Sequence, residues 1–271
     1  MHLNTYSIEL KVGDNMKKDL NLTLSMIKID FKNRFAITGL GSIWGFITPI
    51  IYILIYAYVF QYILKINQNT DIPYAVWFIP GIVIWTFISE AIIQASNSIR
   101  EYSYLIKKTK FPISILPTVK ISSSLIVNII LMLITIIITT VYGYFPNLLG
   151  LIYYIICAYS LIYAITKLTS ALVVMFGDVS QALNIILQIF FWLTPVIWNI
   201  SILENSILLT ITKYNPFAYV ICGIRSIFTS NSFLVFEDAK YSLFFWILVL
   251  LIYLYGKYVF DKNKKYFIDV L

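Results

Sequence analysis

Few side chains in this sequence could carry acid–base, nucleophilic or metal chemistry. It has one histidine, His2, and two cysteines, Cys157 and Cys222, which lie far apart in apolar stretches. A Ser–His–Asp triad, a Cys–His pair or a His-based zinc site needs several such groups close together. The sequence therefore excludes these three kinds of site and predicts no metal. Both cysteines are interpreted as small hydrophobic residues.

Nucleotide-binding chemistry is missing as well. No G-x-x-x-x-G-K-[ST] motif occurs in the sequence, and this motif supplies the backbone N–H groups that hold phosphates in P-loop proteins. No cofactor is expected in this chain. Any ATP-driven work must use ATP and Mg²⁺ bound to a partner.

The overall composition is that of a membrane protein. Hydrophobic residues make up 60% of the chain and charged residues 12%, with a mean hydropathy of +0.83. Soluble domains are about one quarter charged, and a chain of this size cannot place so much apolar surface in its own core. The net charge of +7 is then explained by Lys and Arg on the cytoplasmic side of a bilayer. Nucleic acid is not expected as a partner.

Charge-free runs divide the chain into an N-terminal arm, residues 1–41, and a transmembrane domain, residues 42–271. A bilayer core about 30 Å thick needs about 20 apolar helical residues. Gly143, Pro146 and Asn147 break the longest run into two. We therefore predict an all-α membrane protein with six spans, at about 43–64, 74–96, 118–142, 149–174, 180–200 and 241–260.

The cationic residues predict the orientation of these spans. Fifteen of the 20 Lys and Arg residues lie in the N-terminal arm, in residues 97–120 or in the tail from Lys257. Because cationic loops stay in the cytoplasm, we expect both termini inside and residues 201–240 outside. The protein is then a multi-pass protein of the cytoplasmic (inner) membrane.

Two segments fit neither a span nor a simple loop. In residues 20–37 the apolar positions recur at helical spacing: Leu24, Ile27, Phe31 and Phe35. The charged positions fall elsewhere on the helical wheel: Lys28, Asp30 and Lys32. This pattern predicts an amphipathic helix at the cytoplasmic interface, and a plain pre-span anchor is the alternative.

Residues 201–235 are too broken to span twice and too apolar for an exposed loop. They predict a re-entrant outer hairpin between spans five and six, shielded by protein.

Aromatic residues make up 17% of the chain. Many can be explained as belts at the two membrane surfaces. Tyrosines inside spans, among them Tyr56, Tyr58 and Tyr159, could instead line a lumen, because a Tyr ring stacks on the apolar face of a sugar. The alternative is that these tyrosines face lipid or pack in the core.

Glu90 in span two is costly facing lipid, so it could line the lumen, pair across the bundle or snorkel.

Four motifs resemble those of the ABC-2 type permeases that export polysaccharides. The first contains Lys32, Arg34, Leu40-Gly41-Ser42-Ile43-Trp44 and Pro49. The second contains Leu105-Ile106-Lys107-Lys108, Phe111-Pro112 and Leu116-Pro117. The third is Phe190 to Ile197 with Pro195, and the fourth is Asn215-Pro216-Phe217 with Arg225. Where the family often has Arg-Asp before span five, this chain has Gly177-Asp178.

The resemblance implies a bacterial homodimer of six-span subunits with two copies of a separate P-loop ABC ATPase. Family members export O-antigen, teichoic acid or capsular chains, often on a lipid carrier. The chain would then be a transporter subunit and not an enzyme.

Site roles follow from the resemblance in the same way. A helix within residues 97–112 would dock on the ATPase, through Lys107, Lys108, Lys110, Phe111 and Pro112; an ordinary positive-inside loop is the alternative. Arg34, on the interface helix with Ile27, Phe31 and Phe35, could meet the ATPase or a lipid diphosphate, or be topogenic charge. Asn215, Pro216, Phe217 and Arg225 would belong to an outer gate, where Arg225 could neutralise a phosphate or pin the gate.

Three other functions remain open at this point. An ABC-2 exporter of a drug or lipid belongs to the same class, although lumen aromatics favour a polymer. A membrane-embedded glycan or lipid enzyme would need clustered Asp, Glu or His at a membrane face, which this sequence lacks. A secondary transporter would show more ionisable residues inside the spans.

Overall fold

The computed structural model describes residues 20–32, eight positions between 47 and 63, and residues 72–108, 111–203, 207–230, 232 and 239–271. All regular structure in these ranges is helical, as the apolar runs predict. Most of predicted span one, at 43–64, and most of the N-terminal arm lie outside the described residues.

Ten helices are labelled here in chain order. They are α1 (20–32), α2 (Tyr74–Glu101), α3 (Ser103–Lys108), α4 (Leu116–Val141), α5 (Leu148–Met175), α6 (Val179–Leu193), α7 (Ile207–Lys213), α8 (Pro216–Thr229), α9 (Ala239–Asn263) and α10 (Phe267–Val270). Short 3₁₀ turns occupy Ile113–Ile115, Ile200–Leu203 and Lys264–Tyr266.

Four helical segments in the described part of the chain are long and apolar enough to cross a membrane: Tyr74–Lys108, Ile113–Val141, Leu148–Met175 and Ala239–Val270. They coincide with predicted spans two, three, four and six. Helices α7 and α8 meet at an angle of 83° and would make a fifth span if counted together. A bent pair of this kind also fits the predicted re-entrant hairpin, which stays a prediction.

Span five is shorter than predicted. Helix α6 ends at Leu193, and Thr194 is extended, with φ −93° and ψ 143°. The cause is Pro195, because a proline disfavours the helical conformation of the residue before it. The 15 residues of α6 are about 22 Å long, less than the apolar thickness of a bilayer. The prediction of a span through residue 200 is therefore wrong for residues 194–200.

Local sequence signals set the junctions of the other helices. Between α4 and α5 the chain turns at Gly143, whose φ of +87° is accessible to glycine at little steric cost. Asn147 then caps α5, since its side-chain oxygen accepts hydrogen bonds from the N–H groups of Leu149 and Gly150.

Helix α2 lies at the centre of the bundle. It packs against α4, α5, α6 and α8, while α9 packs mainly against α5. Accordingly, α2 is the most buried of the four long segments and α9 the least. A side chain on α2 can therefore contact several other elements at once.

The two ends of the bundle differ in chemistry. At the basic end, α1 meets the end of α2, α3, the start of α4 and α10, through a cluster that includes Met26, Ile106, Leu116, Val174 and Phe267. The distal end, residues 142–147 and 194–230, carries the α4–α5 turn, the exit from α6 and the bent pair α7–α8.

Candidate functional site

A polar stripe runs along the otherwise buried helix α2. Between Val76 and Ile99, the residues that are not buried are Thr86, Ser89, Glu90, Ile93, Gln94 and Asn97. They recur at intervals of three and four, so they share one face of the helix. Five of the six are polar, which is unusual within a membrane-spanning helix and points to function.

Helix α6 supplies the facing wall. A cavity of about 380 Å³ between α2 and α6, here called the α2–α6 groove, is lined by Ile82, Trp85, Thr86, Ser89, Ile93, Asn184, Leu187, Gln188, Phe191 and Trp192. Asn184 and Gln188 are one helical turn apart and are exposed. The groove therefore has neutral amides and hydroxyls along its middle and aromatic rings towards its distal end.

Most hydrogen bonds of the polar stripe stay within α2. Asn97 donates through Nδ2 to the carbonyl of Ile93 (2.8 Å), and Thr86 donates through Oγ1 to the carbonyl of Val83 (2.8 Å). Gln94 Nε2 donates to Glu90 Oε1 at 3.1 Å. A hydroxyl that donates to its own helix keeps lone pairs that can accept, so the stripe can exchange hydrogen bonds with a passing solute.

The predicted lumen residues do not all meet at this groove. Glu90 lies on the stripe. Tyr159, in contrast, hydrogen-bonds Ser122 (3.2 Å) and lines a different cavity, between α5 and α9. Tyr58 is exposed, and Tyr56 lies outside the described residues.

Sequence reasoning missed most of the stripe. Its signal was available, since polar residues at positions 86, 89, 90, 94 and 97 repeat with the helical period inside a predicted span. The matching wall of α6 could not be paired with it, because the sequence does not say which spans are neighbours.

At the distal end, Arg225 is buried and holds three separate backbone groups. Its guanidinium donates from Nε to the carbonyl of Trp77 (3.1 Å), and from its other two nitrogens to the carbonyls of Pro195 and Val196. It also lies 3.7 Å above the centroid of the Trp77 ring. Arg225 on α8 thus joins the start of α2 to the irregular exit from α6.

The other predicted gate residues lie at the same junction. Asn215 caps α8, since its Oδ1 accepts from the Phe217 N–H (3.0 Å), and its Nδ2 donates to Thr194 Oγ1 (3.1 Å). Pro216 is the first residue of α8, where its missing N–H costs nothing. The Phe217 ring packs 5.0 Å from that of Phe190 and 5.9 Å from that of Trp85. The structure brings Asn215, Phe217 and Arg225 against the end of α6, and Pro216 lines a cavity beside it.

The predicted docking residues at the basic end divide into two groups. Lys107 and Lys108 lie in the last turn of α3 and are exposed. Phe111 and Pro112 are half-buried, and Phe111 packs on the apolar cluster of this end. Lys110 lies outside the described residues. Of the described docking residues, the two lysines are therefore the most exposed.

Helix α1 buries part of the predicted apolar face together with two residues outside it. Ile27 and Phe31 are half-buried, but Leu24 is 64% exposed, while Met26 and Asp30 are buried. Placing Asp30 on the polar face was wrong, because its carboxylate meets Lys120 Nζ at 2.7 Å. Arg34 and Phe35 lie outside the described residues.

Within the described ranges no group of three or more His, Cys, Asp or Glu side chains could hold a metal ion. The chemical capacity of the described site therefore lies in neutral hydrogen bonding, aromatic packing and a few placed charges.

Comparisons with known proteins support a transport role. The family described as "ABC-2 type transporter" matches residues 21–229. Relatives include an O-antigen export system permease protein RfbA of Klebsiella pneumoniae, 24% identical over 268 residues, which cover 97% of this chain and 100% of the relative. An O-antigen export system permease protein RfbA of Myxococcus xanthus is 23% identical over 213 residues, 76% of this chain and 80% of the relative.

The family match begins in α1 and ends at the last residue of α8, so it includes the stripe on α2, the facing wall of α6 and the Arg225 junction. This chain belongs to the ABC-2 type transporter family.

Proposed function

We propose that this chain is the permease subunit of an ATP-driven exporter that moves a polysaccharide, carried on a lipid, across the bacterial cytoplasmic membrane. The observation that carries the proposal is the polar stripe on α2 with its facing amides on α6. Relatives named for O-antigen export support the choice of substrate.

The chemistry of the α2–α6 groove suits a sliding sugar chain. Side-chain amides and hydroxyls can both donate and accept, as sugar hydroxyls do. A purely apolar path would leave those hydroxyls without partners, at about 1–3 kcal/mol each. A strongly charged path would hold the lipid diphosphate too tightly, because conduction needs several weak sites. The rings of Trp85, Phe191 and Trp192 offer stacking faces.

A second copy of the chain would close the groove. Helix α6 contacts the bundle along a narrow strip, with Leu183 and Leu187 buried, whereas most of its other residues are exposed. The exposed set is largely apolar and includes Ile185, Ile186, Ile189, Trp192 and Leu193. A homodimer formed across this face would turn two open grooves into one enclosed lumen.

The basic end would face the cytoplasm, because cationic segments stay inside. There the exposed Lys107 and Lys108 of α3 would dock on acidic surface of a separate P-loop ABC ATPase, two copies per dimer, which binds the ATP and Mg²⁺. At the distal end, the pair α7–α8 would enter the outer leaflet and close the lumen at rest, with Arg225 pinning it.

The groove can be tested with changes that remove polarity and keep bulk. Asn184→Leu combined with Gln188→Leu should lower surface polysaccharide at least tenfold, while protein level and dimerisation stay normal. Thr140→Leu is the matched control, since Thr140 is exposed on α4 and its hydroxyl bonds only its own helix, at the Ile136 carbonyl.

Two results would contradict the proposal. Normal surface polysaccharide in the double variant would exclude the groove as the path. Loss of resistance to a drug, with polysaccharide unchanged, would instead favour a drug exporter.

A further inference from the structure

A buried ion cluster at the basic end connects three elements that the proposed docking mechanism needs to move together. Lys120 Nζ lies 2.7 Å from Asp30 Oδ1 and 2.6 Å from Glu101 Oε1. Tyr102 donates its hydroxyl to the same Asp30 oxygen at 2.6 Å. Lys120 and Asp30 are almost fully buried, whereas Glu101 is half exposed.

Each member of this cluster belongs to a different part of the fold. Asp30 lies on α1, Glu101 is the last residue of α2, and Tyr102 is the single residue between α2 and α3. Lys120 lies in the second turn of α4. One ammonium group therefore joins α1, the start of α4 and the start of residues 102–115, here called the docking segment.

The far end of the docking segment is also held by lysines. Ser114 lies in the 3₁₀ turn between α3 and α4. Its carbonyl accepts from Lys167 Nζ of α5 (3.2 Å), and its hydroxyl lies 3.3 Å from Lys264 Nζ, just after α9. The segment 102–115 is thus fixed at both ends, while the exposed Lys107 and Lys108 lie between them.

Stability alone does not account for the ion cluster. Taking two charges out of water costs nearly as much as their attraction returns, and apolar side chains of the same volume would stabilise the site at least as well. What an ion pair adds is a fixed position of its partners relative to one another. Asp30 meets both Lys120 and Tyr102 only when α1, Tyr102 and α4 hold one relative position.

We propose that Lys120 is a positioning residue that makes α1, the docking segment and α4 move as one body when the ATPase acts on α3. A displacement of α3 passes through Tyr102 to Asp30 on α1, and through Glu101 and Lys120 to α4. Without the cluster, α3 can move while α1 and span three stay behind. The coupling role rests on the proposed function, whereas the rigid connection does not.

The decisive variant removes both charges. Asp30→Asn with Lys120→Met leaves no unpaired buried charge, so folding and co-purification with the ATPase should persist. In proteoliposomes, ATP hydrolysis should stay within twofold of the unchanged complex while polymer export falls at least tenfold. The single variant Lys120→Arg, which keeps the charge, should export polymer within threefold of the unaltered complex. The matched control is Ser96→Ala with Thr169→Val, which removes a buried 2.6 Å hydrogen bond between α2 and α5 and should leave export unchanged.

A distance measurement tests the rigid connection without the ATPase or the polymer. Spin labels at Leu24→Cys and Tyr104→Cys, both well exposed, report α1 against α3 when Cys157 and Cys222 are changed to alanine. One narrow distance distribution is expected in this background, and a broader one after Asp30→Asn with Lys120→Met.

The outcomes separate the two proposals. An unchanged distribution, or full export by the double-neutral variant, would overturn the role of Lys120. A broader distribution together with no ATP-dependent export by the unaltered permease would overturn the proposed function and leave the rigid connection standing.

Discussion

The two ends of the bundle each bury a cation, and they satisfy it in different ways. Arg225 at the distal end is 5% exposed and donates to three backbone carbonyls beneath a stacked Trp77 ring. Lys120 at the basic end is 6% exposed and meets two carboxylates. In the described part of the chain, Arg225 makes no ion pair, whereas Lys120 makes two.

The difference follows from the two head groups. A guanidinium is planar and offers five donors in fixed directions, so it can fix the shape of an irregular backbone such as the exit from α6. An ammonium is a compact charge on a flexible stem, with three donors that can turn towards partners on separate helices. Arg225 therefore holds one junction in shape, while Lys120 holds separate helices in register.

The largest expected effect comes from removing the Lys120 charge alone. Lys120→Met leaves the Asp30 carboxylate buried without its cation, which should lower the free energy of unfolding by about 3–5 kcal/mol. Thermal unfolding in detergent measures this loss. Lys257→Met, at an exposed position of α9, should change stability by less than about 0.5 kcal/mol.

Adding Asp30→Asn to Lys120→Met should recover most of the lost stability. If the single and double variants are equally unstable, the buried charge is not the cause, and the contrast with Arg225 fails.

A smaller effect is expected from filling the space beside the arginine. A Cβ at Gly81 would lie 2.7 Å from the Arg225 guanidinium, which is fixed by its carbonyl partners. Gly81→Ala should cost about 1–3 kcal/mol, because overpacking displaces a buried group.

Gly177 provides the matched comparison at the basic end. A Cβ there would lie 2.9 Å from Arg100, but Arg100 is exposed and can move away. Gly177→Ala should therefore change the unfolding midpoint much less than Gly81→Ala, and equal shifts would show that Arg225 is not rigidly held.

The smallest expected effect concerns the cap that supports the distal junction. Asn215→Ala removes the cap of α8 and the hydrogen bond to Thr194, so it should cost about 1 kcal/mol. Asn263→Ala is the comparison at the basic end, since Asn263 donates only to Val259 of its own helix. If chemical denaturation gives the same loss for both, Asn215 does not support the exit from α6.

Much of the helical framework could be predicted from the chain alone. Long apolar runs predicted spans two, three, four and six, and Gly143 and Asn147 marked the turn between two of them. The early end of α6 was also predictable, because Pro195 forces Thr194 out of the helix. Hydropathy alone extends the span to residue 200, because it takes no account of the backbone restriction imposed by a proline.

The candidate site was only partly predictable. The helical period of the stripe on α2 is visible in the sequence. Its pairing with the wall on α6 is not, because it depends on which helices pack together. Tyr159 was predicted on the same lumen as Glu90, yet it lies between α5 and α9, because a Tyr in an apolar helix can face any neighbour.

What the sequence by itself determined is the membrane character, the places of four long apolar helices and the concentration of positive charge at one end. These depend on local composition, which sets how much apolar length a segment offers to lipid. The tertiary structure alone decided that Asp30 turns inward to Lys120, that Arg225 reaches the exit from α6, and that α2 and α6 share a groove. Those outcomes depend on pairings between residues 29 to 148 positions apart. Which partner a buried charge meets is therefore set by the packing of the helices.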